Sequence, residues 1–263
     1  MVNNMLSDLM IEAVNIKGNG LVTNIKRRNG IKIISVLSKN DNITKRGRYI
    51  TIEFRDMLNK YIKNEVIKSL KLLFNDNNIT DNSSALVIGL GNDDSTPDSL
   101  GPLVIDNIIV TRHLESLGLN SNRVVSAIKP GVTGETGIET KDMIKGVIEK
   151  IKPDYVIIID SLKSESLNRL TKTIQLTDTG IHPGSGVNNK RDELSMKTLG
   201  IPVIAIGVPT VCDVNTILKD IVKKKIKNVP EMIVTPKDID FVIEKMSDIL
   251  SISINSALYN IKI

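Results

Sequence analysis

Apolar positions along this chain recur with two different periods. Near the N-terminus, Ile31-Lys32-Ile33-Ile34-Ser35-Val36-Leu37 and Tyr49-Ile50-Thr51-Ile52-Glu53-Phe54 are β-branched runs separated by a polar turn, which predicts two strands. Leu58, Tyr61, Ile62, Glu65, Val66 and Leu70 then follow helical spacing. The breaker clusters Asn75-Asp76-Asn77-Asn78 and Thr80-Asp81-Asn82-Ser83 end that helix. Beyond them the pattern becomes strand, loop, helix, repeated. Ala85 to Leu90, Arg123 to Ile128, Tyr155 to Ile159 and Ile201 to Val208 read as buried strands. Helices are predicted from Pro102 to Leu117, from Thr140 to Lys150 and from Asp238 to Tyr259, the last with Ile239, Val242, Ile243, Met246 and Leu250 on one side.

Continuous apolar strands alternating with helices predict an α/β fold, a mostly parallel sheet with helices on both faces. The chain divides into residues 1–82, a β-rich segment with a helix, and residues 83–263, the α/β core, expected to pack as one compact unit. In such sheets ligands bind beyond the carboxyl ends of the strands.

Composition narrows what chemistry those ends can carry. The 263 residues include one Cys, two His, no Trp, four Tyr and three Phe. A single cysteine excludes an intrachain disulfide or a Cys-rich zinc site, and His113 with His182 cannot make a three-histidine centre. Carboxylates, hydroxyls or a lone histidine must therefore do the work. The net charge of +5 comes in local groups such as Lys26-Arg27-Arg28, Lys45-Arg46-Gly47-Arg48 and Lys223-Lys224-Lys225. With so few stacking aromatics these read as solvated charge rather than a nucleic-acid face. No apolar run approaches the roughly 20 residues of a membrane span, and the first ten residues lack the n- and h-regions of a secretory signal. The expectation is a cytoplasmic, reduced protein without direct nucleic-acid or membrane partners.

Two aspartates stand at predicted strand ends. Asp160 follows the apolar run Val156 to Ile159, and Asp98 lies in the loop Gly91 to Pro102 after the strand ending at Leu90. If they approach one another they cannot ionise independently, and an acid and a base coexist as hydrolysis requires. Helix capping by each, Asp160 before Ser161 and Asp98 before Pro102, fits the spacing equally. Gly89-Leu90-Gly91-Asn92-Asp93-Asp94 lacks the third glycine of a dinucleotide loop and would meet a pyrophosphate with two acids. The loop Asp178 to Gly186 offers His182, Gly184, Ser185 and Gly186, which fits either an oxyanion-binding loop or a tight glycine turn. Cys212, beside Val208 and Val211, reads as a small buried hydrophobe.

The order of motifs carries a further resemblance. Gly89-Leu90-Gly91-Asn92, Thr96-Pro97-Asp98-Ser99-Leu100-Gly101-Pro102 and Thr111-Arg112-His113 come first, then Pro130 to Thr140, Asp178 to Val187, Leu199 to Thr210 and Met232 to Asp240. Together they resemble the germination protease family of spore-forming bacteria, endopeptidases that degrade small acid-soluble spore proteins. The match is strong from about Leu86 to Thr210 and resumes at Met232; residues 9 to 80 match more loosely. The resemblance implies an atypical aspartic-type peptidase without a cofactor or required metal, made as a zymogen and assembled as a homotetramer in the forespore and spore core. It places the two essential aspartates on Asp98 and Asp160 and autoprocessing near Asp8 and Leu9, which would leave a short propeptide stub. Beside that pair, Asn92, His182, Gly184, Ser185 and Gly186 are expected, from the loops they occupy, in supporting or substrate-binding roles.

Three departures from the family pattern bear on these expectations. The long insertion before the Val-Thr-Pro motif shrinks to Leu218 to Glu231, Asp93 and Asp94 add acids beside the site, and Asn188 replaces a glycine. The fold also resembles that of hydrogenase-maturation peptidases, where loop acids bind a metal. A metal-assisted peptidase using Asp98, Asp160 and Asp93 or His182, and a non-catalytic relative that only binds spore protein, are the alternatives.

Overall fold

The structure, a computed structural model, describes residues 20–41, 44–119, 123–184, 192–222 and 229–263. Within them run nine strands: β1 Leu21–Arg28, β2 Ile31–Ser38, β3 Gly47–Phe54, β4 Ala85–Gly89, β5 Val125–Ile128, β6 Tyr155–Ser164, β7 Thr173–Thr177, β8 Val203–Asp213 and β9 Ile233–Val234. The helices are α1 Ile62–Asp76, α2 Leu100–Asp106, α3 Arg112–Ser116, α4 Thr133–Thr136, α5 Thr140–Ile151, α6 Met196–Leu199, α7 Val214–Val222 and α8 Ile239–Tyr259. A 3-10 turn, Thr96–Asp98, precedes α2.

All nine strands form one sheet in the order β1-β2-β3-β7-β8-β6-β4-β5, with β9 against β8. The fold is α/β, and the sheet is mixed. β5, β4, β6 and β8 are parallel, as βαβ crossovers require. The N-terminal meander β1–β3 joins this body through β7, and every pairing on that side is antiparallel.

β6 explains why both faces are covered. Its apolar run splits by alternation: Tyr155, Ile157 and Ile159 enter one core, and Val156, Ile158 and Leu162 enter the other. The first core is closed by Val66, Leu70 and Leu73 of α1, Leu100 and Val104 of α2, and Val242, Met246 and Leu250 of α8. The second is closed by Ile144 and Ile148 of α5 with Leu199 of α6. Each such fully buried aliphatic side chain stabilises the fold by about 1.5–3 kcal/mol. Among the described residues no helix is long and apolar enough to cross a membrane.

Some elements differ from the sequence pattern for physical reasons. The helix expected from Pro102 to Leu117 is two helices, because residues 107–111 leave the axis to bond elsewhere. The Ile109 N–H donates to Asn255 Oδ1 on α8 (3.0 Å), and the Thr111 N–H donates to the Val125 carbonyl (2.9 Å). β1 lacks an apolar alternation because both its faces meet solvent; Val22 and Ile25 are exposed. β7 reads as polar, Thr-Ile-Gln-Leu-Thr, yet all five of its residues are buried. β6 continues to Ser164, so Asp160 stands within the strand and not at its carboxyl end.

Candidate active site

Asp160 is held by a difference between its two neighbouring strands. Toward β8 the ladder continues, with Asp160 paired to Gly207. Toward β4 it ends one residue earlier, at Gly89 opposite Ile159, and the Leu90 N–H makes a final bond to the Ile159 carbonyl (2.8 Å). The side chain is therefore buried, 5% exposed, yet borders the place where β4 stops. The Ser161 N–H donates to Asp160 Oδ1 at 3.0 Å, one of the hydrogen bonds a buried carboxylate needs. The capping interpretation fails here, since residues 161–164 remain extended and no helix follows.

Asp98 reaches the same region because three glycines allow backbone to lie on backbone. A Cβ at Gly89 would stand 2.3 Å from the Gly101 carbonyl oxygen, and one at Gly101 would stand 2.2 Å from that of Leu90. At Gly91, whose φ is +121°, a Cβ would stand 1.9 Å from the Asp98 carbonyl oxygen and 3.4 Å from Asp98 Cγ. The glycines thus serve close packing of the β4 end against the 3-10 turn and α2. The turn is closed by the Asp98 N–H to the Ser95 carbonyl (2.7 Å) and the Asn92 N–H to the Asp98 carbonyl (3.2 Å). It packs against β6, β8 and α8. Asp98 is half-buried, and Ser99, which makes no side-chain cap bond, occupies the N-cap of α2. Asp160 precedes no helix, and the N-cap position of α2 belongs to Ser99 rather than Asp98.

A residue that the sequence pattern did not single out lies in the same row of the sheet. Gln175 on β7 pairs with Gly207, which pairs with Asp160 on its other side, so the three share one face. Gly207 has no side chain, and the backbones of Gln175 and Asp160 are two inter-strand spacings, about 10 Å, apart across it. Gln175 is 6% exposed, and among the described residues its Oε1 has no hydrogen-bond partner. Glu139 Oε1 and Thr140 Oγ1, at the start of α5, are also buried without partners among the described residues. Such groups are rare in folded proteins and signal strain, water or a ligand. The only sequence signal was a strand-length Thr-x-Gln-x-Thr pattern, which ordinarily denotes a solvent-facing strand.

The other expected residues are dispersed. Asn92 organises the loop, its Oδ1 accepting the Asp94 N–H at 2.6 Å. His182 lies between Lys45 Nζ (3.3 Å) and Glu193 Oε2 (3.7 Å). Burial and then Lys45 hold its pKa below the ordinary histidine value, against the pull of Glu193. Burial works to raise the Glu193 pKa, but the hydrogen bond from Lys45 (2.6 Å) and one from Ser195 bring it below the usual range. Gly184 adopts φ +67° in a turn. Ser185, Gly186, Asn188, Asp8 and Leu9 fall outside the described residues. Asp93 faces Lys129 (3.8 Å), which also binds Asp106 (2.7 Å). Among the described residues no three His, Cys, Asp or Glu side chains gather as a metal site would require. Cys212 is fully buried, and burial pushes its thiol pKa up, as suits a small core side chain.

A family model described as "Germination protease" matches residues 7–230. A germination protease of Bacillus cereus (strain ATCC 10987) is 46% identical over 215 residues, covering 76% of this chain and 59% of the relative. That of Oceanobacillus iheyensis is 47% identical over 224 residues, covering 78% and 61%, and that of Bacillus thuringiensis subsp. konkukian is 51% identical over 186 residues, covering 67% and 51%. The chain thus spans between half and two thirds of the length of these relatives. Among solved structures, a [NiFe] hydrogenase maturation protease, HycI of Thermococcus kodakarensis, aligns with a TM-score of 0.41 at 16% identity, over 72% of this chain and 98% of that one.

Proposed function

This chain belongs to the germination protease family, and from that premise we propose that it is an endopeptidase that hydrolyses small acid-soluble spore proteins, using Asp98 and Asp160 as an acid–base pair. The observation that carries the proposal is Asp160 itself, a buried aspartate inside β6 at the point where β4 ends. The turn bearing Asp98 is packed against that same strand.

In this mechanism the ionised member of the pair takes a proton from water as the water oxygen attacks the peptide carbonyl carbon. The protonated member gives its proton to the amide nitrogen of the tetrahedral intermediate, and the C–N bond breaks to release acid and amine. The proton belongs to the pair, as in other coupled carboxylates. Gln175 Oε1, buried and level with Asp160, accepts a backbone N–H of the bound peptide and so positions it. No resident metal enters these steps. Separate Asp98→Asn and Asp160→Asn variants should each lose about 10²–10⁴-fold in turnover of a purified spore protein, the range for losing a general acid or base, with unchanged circular dichroism. Full activity in either folded variant overturns the pair. Activity abolished by chelation and restored by a divalent ion would replace it with metal-assisted hydrolysis.

Family membership also supports a role in the spore, homotetrameric assembly and synthesis as a zymogen processed near Asp8 and Leu9. Sedimentation equilibrium and N-terminal sequencing of the mature form test the last two. Residues 1–82 and 83–263 are proposed to unfold as one unit, which coincident melting of the two parts would support.

A further inference from the structure

A second concave feature lies apart from the aspartates. A cavity of about 950 Å³ opens where β1 turns into β2, β3 ends and the connection from β6 enters β7. Arg27, Arg28, Lys32, Arg55, Arg169 and Lys172 line it, and Glu53 is the one carboxylate among its described lining residues. These cations come from three separate stretches of sequence. The reading of Lys26-Arg27-Arg28 as solvated charge therefore changes: two of its members form one wall of a basic cavity assembled by the fold.

Internal pairing accounts for part of this charge. Glu53 is taken up by Lys32 (2.7 Å), and Arg28 pairs with Glu65 of α1. Arg27, Arg55 and Lys172 have no carboxylate partner among the described residues. Three cations sharing one cavity repel each other unless an anion joins them.

Hydrogen bonds anchor the backbone that carries them. The Asn29–Gly30 turn is anchored by Asn59 Nδ2–H to the Asn29 carbonyl (2.7 Å). The Phe54 N–H donates to the Lys172 carbonyl (3.0 Å), and Thr173 Oγ1–H to that of Arg169 (3.2 Å). Between those two cations Thr171 has φ +58°, a conformation that β-branched residues rarely adopt, and its N–H is held by the Pro209 carbonyl (2.8 Å). This turn brings both Arg169 and Lys172 to the cavity wall. Strain maintained by surrounding bonds is characteristic of ligand clamps.

We propose that this cavity binds a multiply charged oxyanion, a ligand whose phosphate or carboxylate groups carry a charge near that of the three uncompensated cations. Planar guanidinium groups hold such oxygens in pairs, and Lys172 adds a point charge. The volume suits a ligand with several linked anionic groups rather than one phosphate ion. The proposal is independent of the peptidase reading, and its test reads binding alone.

Isothermal titration of the full chain with pyrophosphate, and separately with citrate, provides that test. Three proteins are compared: the wild type, the variant Arg27→Ala/Arg55→Ala/Lys172→Ala, and a control of equal charge loss, Lys60→Ala/Lys150→Ala/Lys237→Ala. Saturable binding to wild type and control is expected, weakened about tenfold or more in the cavity variant by the lost charge-assisted hydrogen bonds. Binding of pyrophosphate alone identifies a phosphate ligand, binding of citrate alone a carboxylate ligand, and binding of both a ligand chosen by charge count; each supports the site. Equal weakening in the control, or no saturable binding of either anion, overturns it. Melting curves without ligand verify that the cavity variant is folded.

Discussion

The two faces of the sheet solve the burial problem differently. On the first, α1, α2 and α8 meet Val87, Ile157, Ile159, Ile204 and Ile206 with mainly apolar side chains, the aromatic pair Phe74 and Tyr155 among them. On the second, α5 and α6 cover an apolar patch on β4, β6 and β8, but the row Thr51–Gln175–Gly207–Asp160 crosses the same face as buried polar groups. The first face is filled chiefly by dispersion contacts between apolar side chains. The other leaves Gln175 Oε1 unmatched among the described residues, at a cost to stability that an incoming peptide can offset. The division of labour lies between faces of one sheet more than between segments of the chain.

That contrast can be broken by substitution. Ile157→Ala, on the first face, should cost about 2–5 kcal/mol of unfolding free energy, as cavity-forming core changes do. Activity per folded molecule should persist in chemical-denaturation and turnover assays. If turnover falls while folding holds, the first face also serves the site. Gly91→Ala should cost about 2 kcal/mol or more, from a disfavoured backbone and a collision with the Asp98 carbonyl. It should also lower turnover by displacing Asp98, and a crystal structure showing the turn unmoved would remove the role given to the three glycines.

Gln175→Leu sharpens the comparison from the other side. Replacing a buried, unmatched amide by an apolar group of similar size should leave stability equal or raise it by about 1–2 kcal/mol, while KM for peptide rises. A clear loss of stability would mean that the amide is satisfied in the native protein. The smallest effect concerns His182. Its lowered pKa means that the unfolded chain binds a proton more readily than the native one. Stability associated with the neutral ring is therefore complete above the ordinary value of about 6.5 and declines as pH falls from there through the lowered native value. Proton NMR should place its midpoint below that of a free histidine, and Lys45→Ala should move it back up.

Much of the scaffold was legible in the order of residues. The short, largely β-branched run Tyr155 to Ile159 reads as a strand buried on two sides and forms one, and α5 and α8 follow from apolar spacing. Asp98 and Asp160 drew attention as acids at the margins of apolar strands, and the motif order pointed to the germination proteases. β1 and β7 were not legible, and the reason is common to both. Alternation reports which side of a strand meets water, so it fails for β1, wet on both sides, and misleads for β7, whose polar side is buried as fully as its apolar side.

By itself, then, the sequence determined the α/β class, the apolar strands and the chemistry open to a chain with two histidines and one cysteine, because periodicity and composition are local properties. Only the tertiary structure decided that β6 runs on past Asp160, that Gln175 shares its row, and that cations from three distant segments line one cavity. Register and cavity shape depend on which strands become neighbours, and that is set by long-range packing that no window along the chain contains.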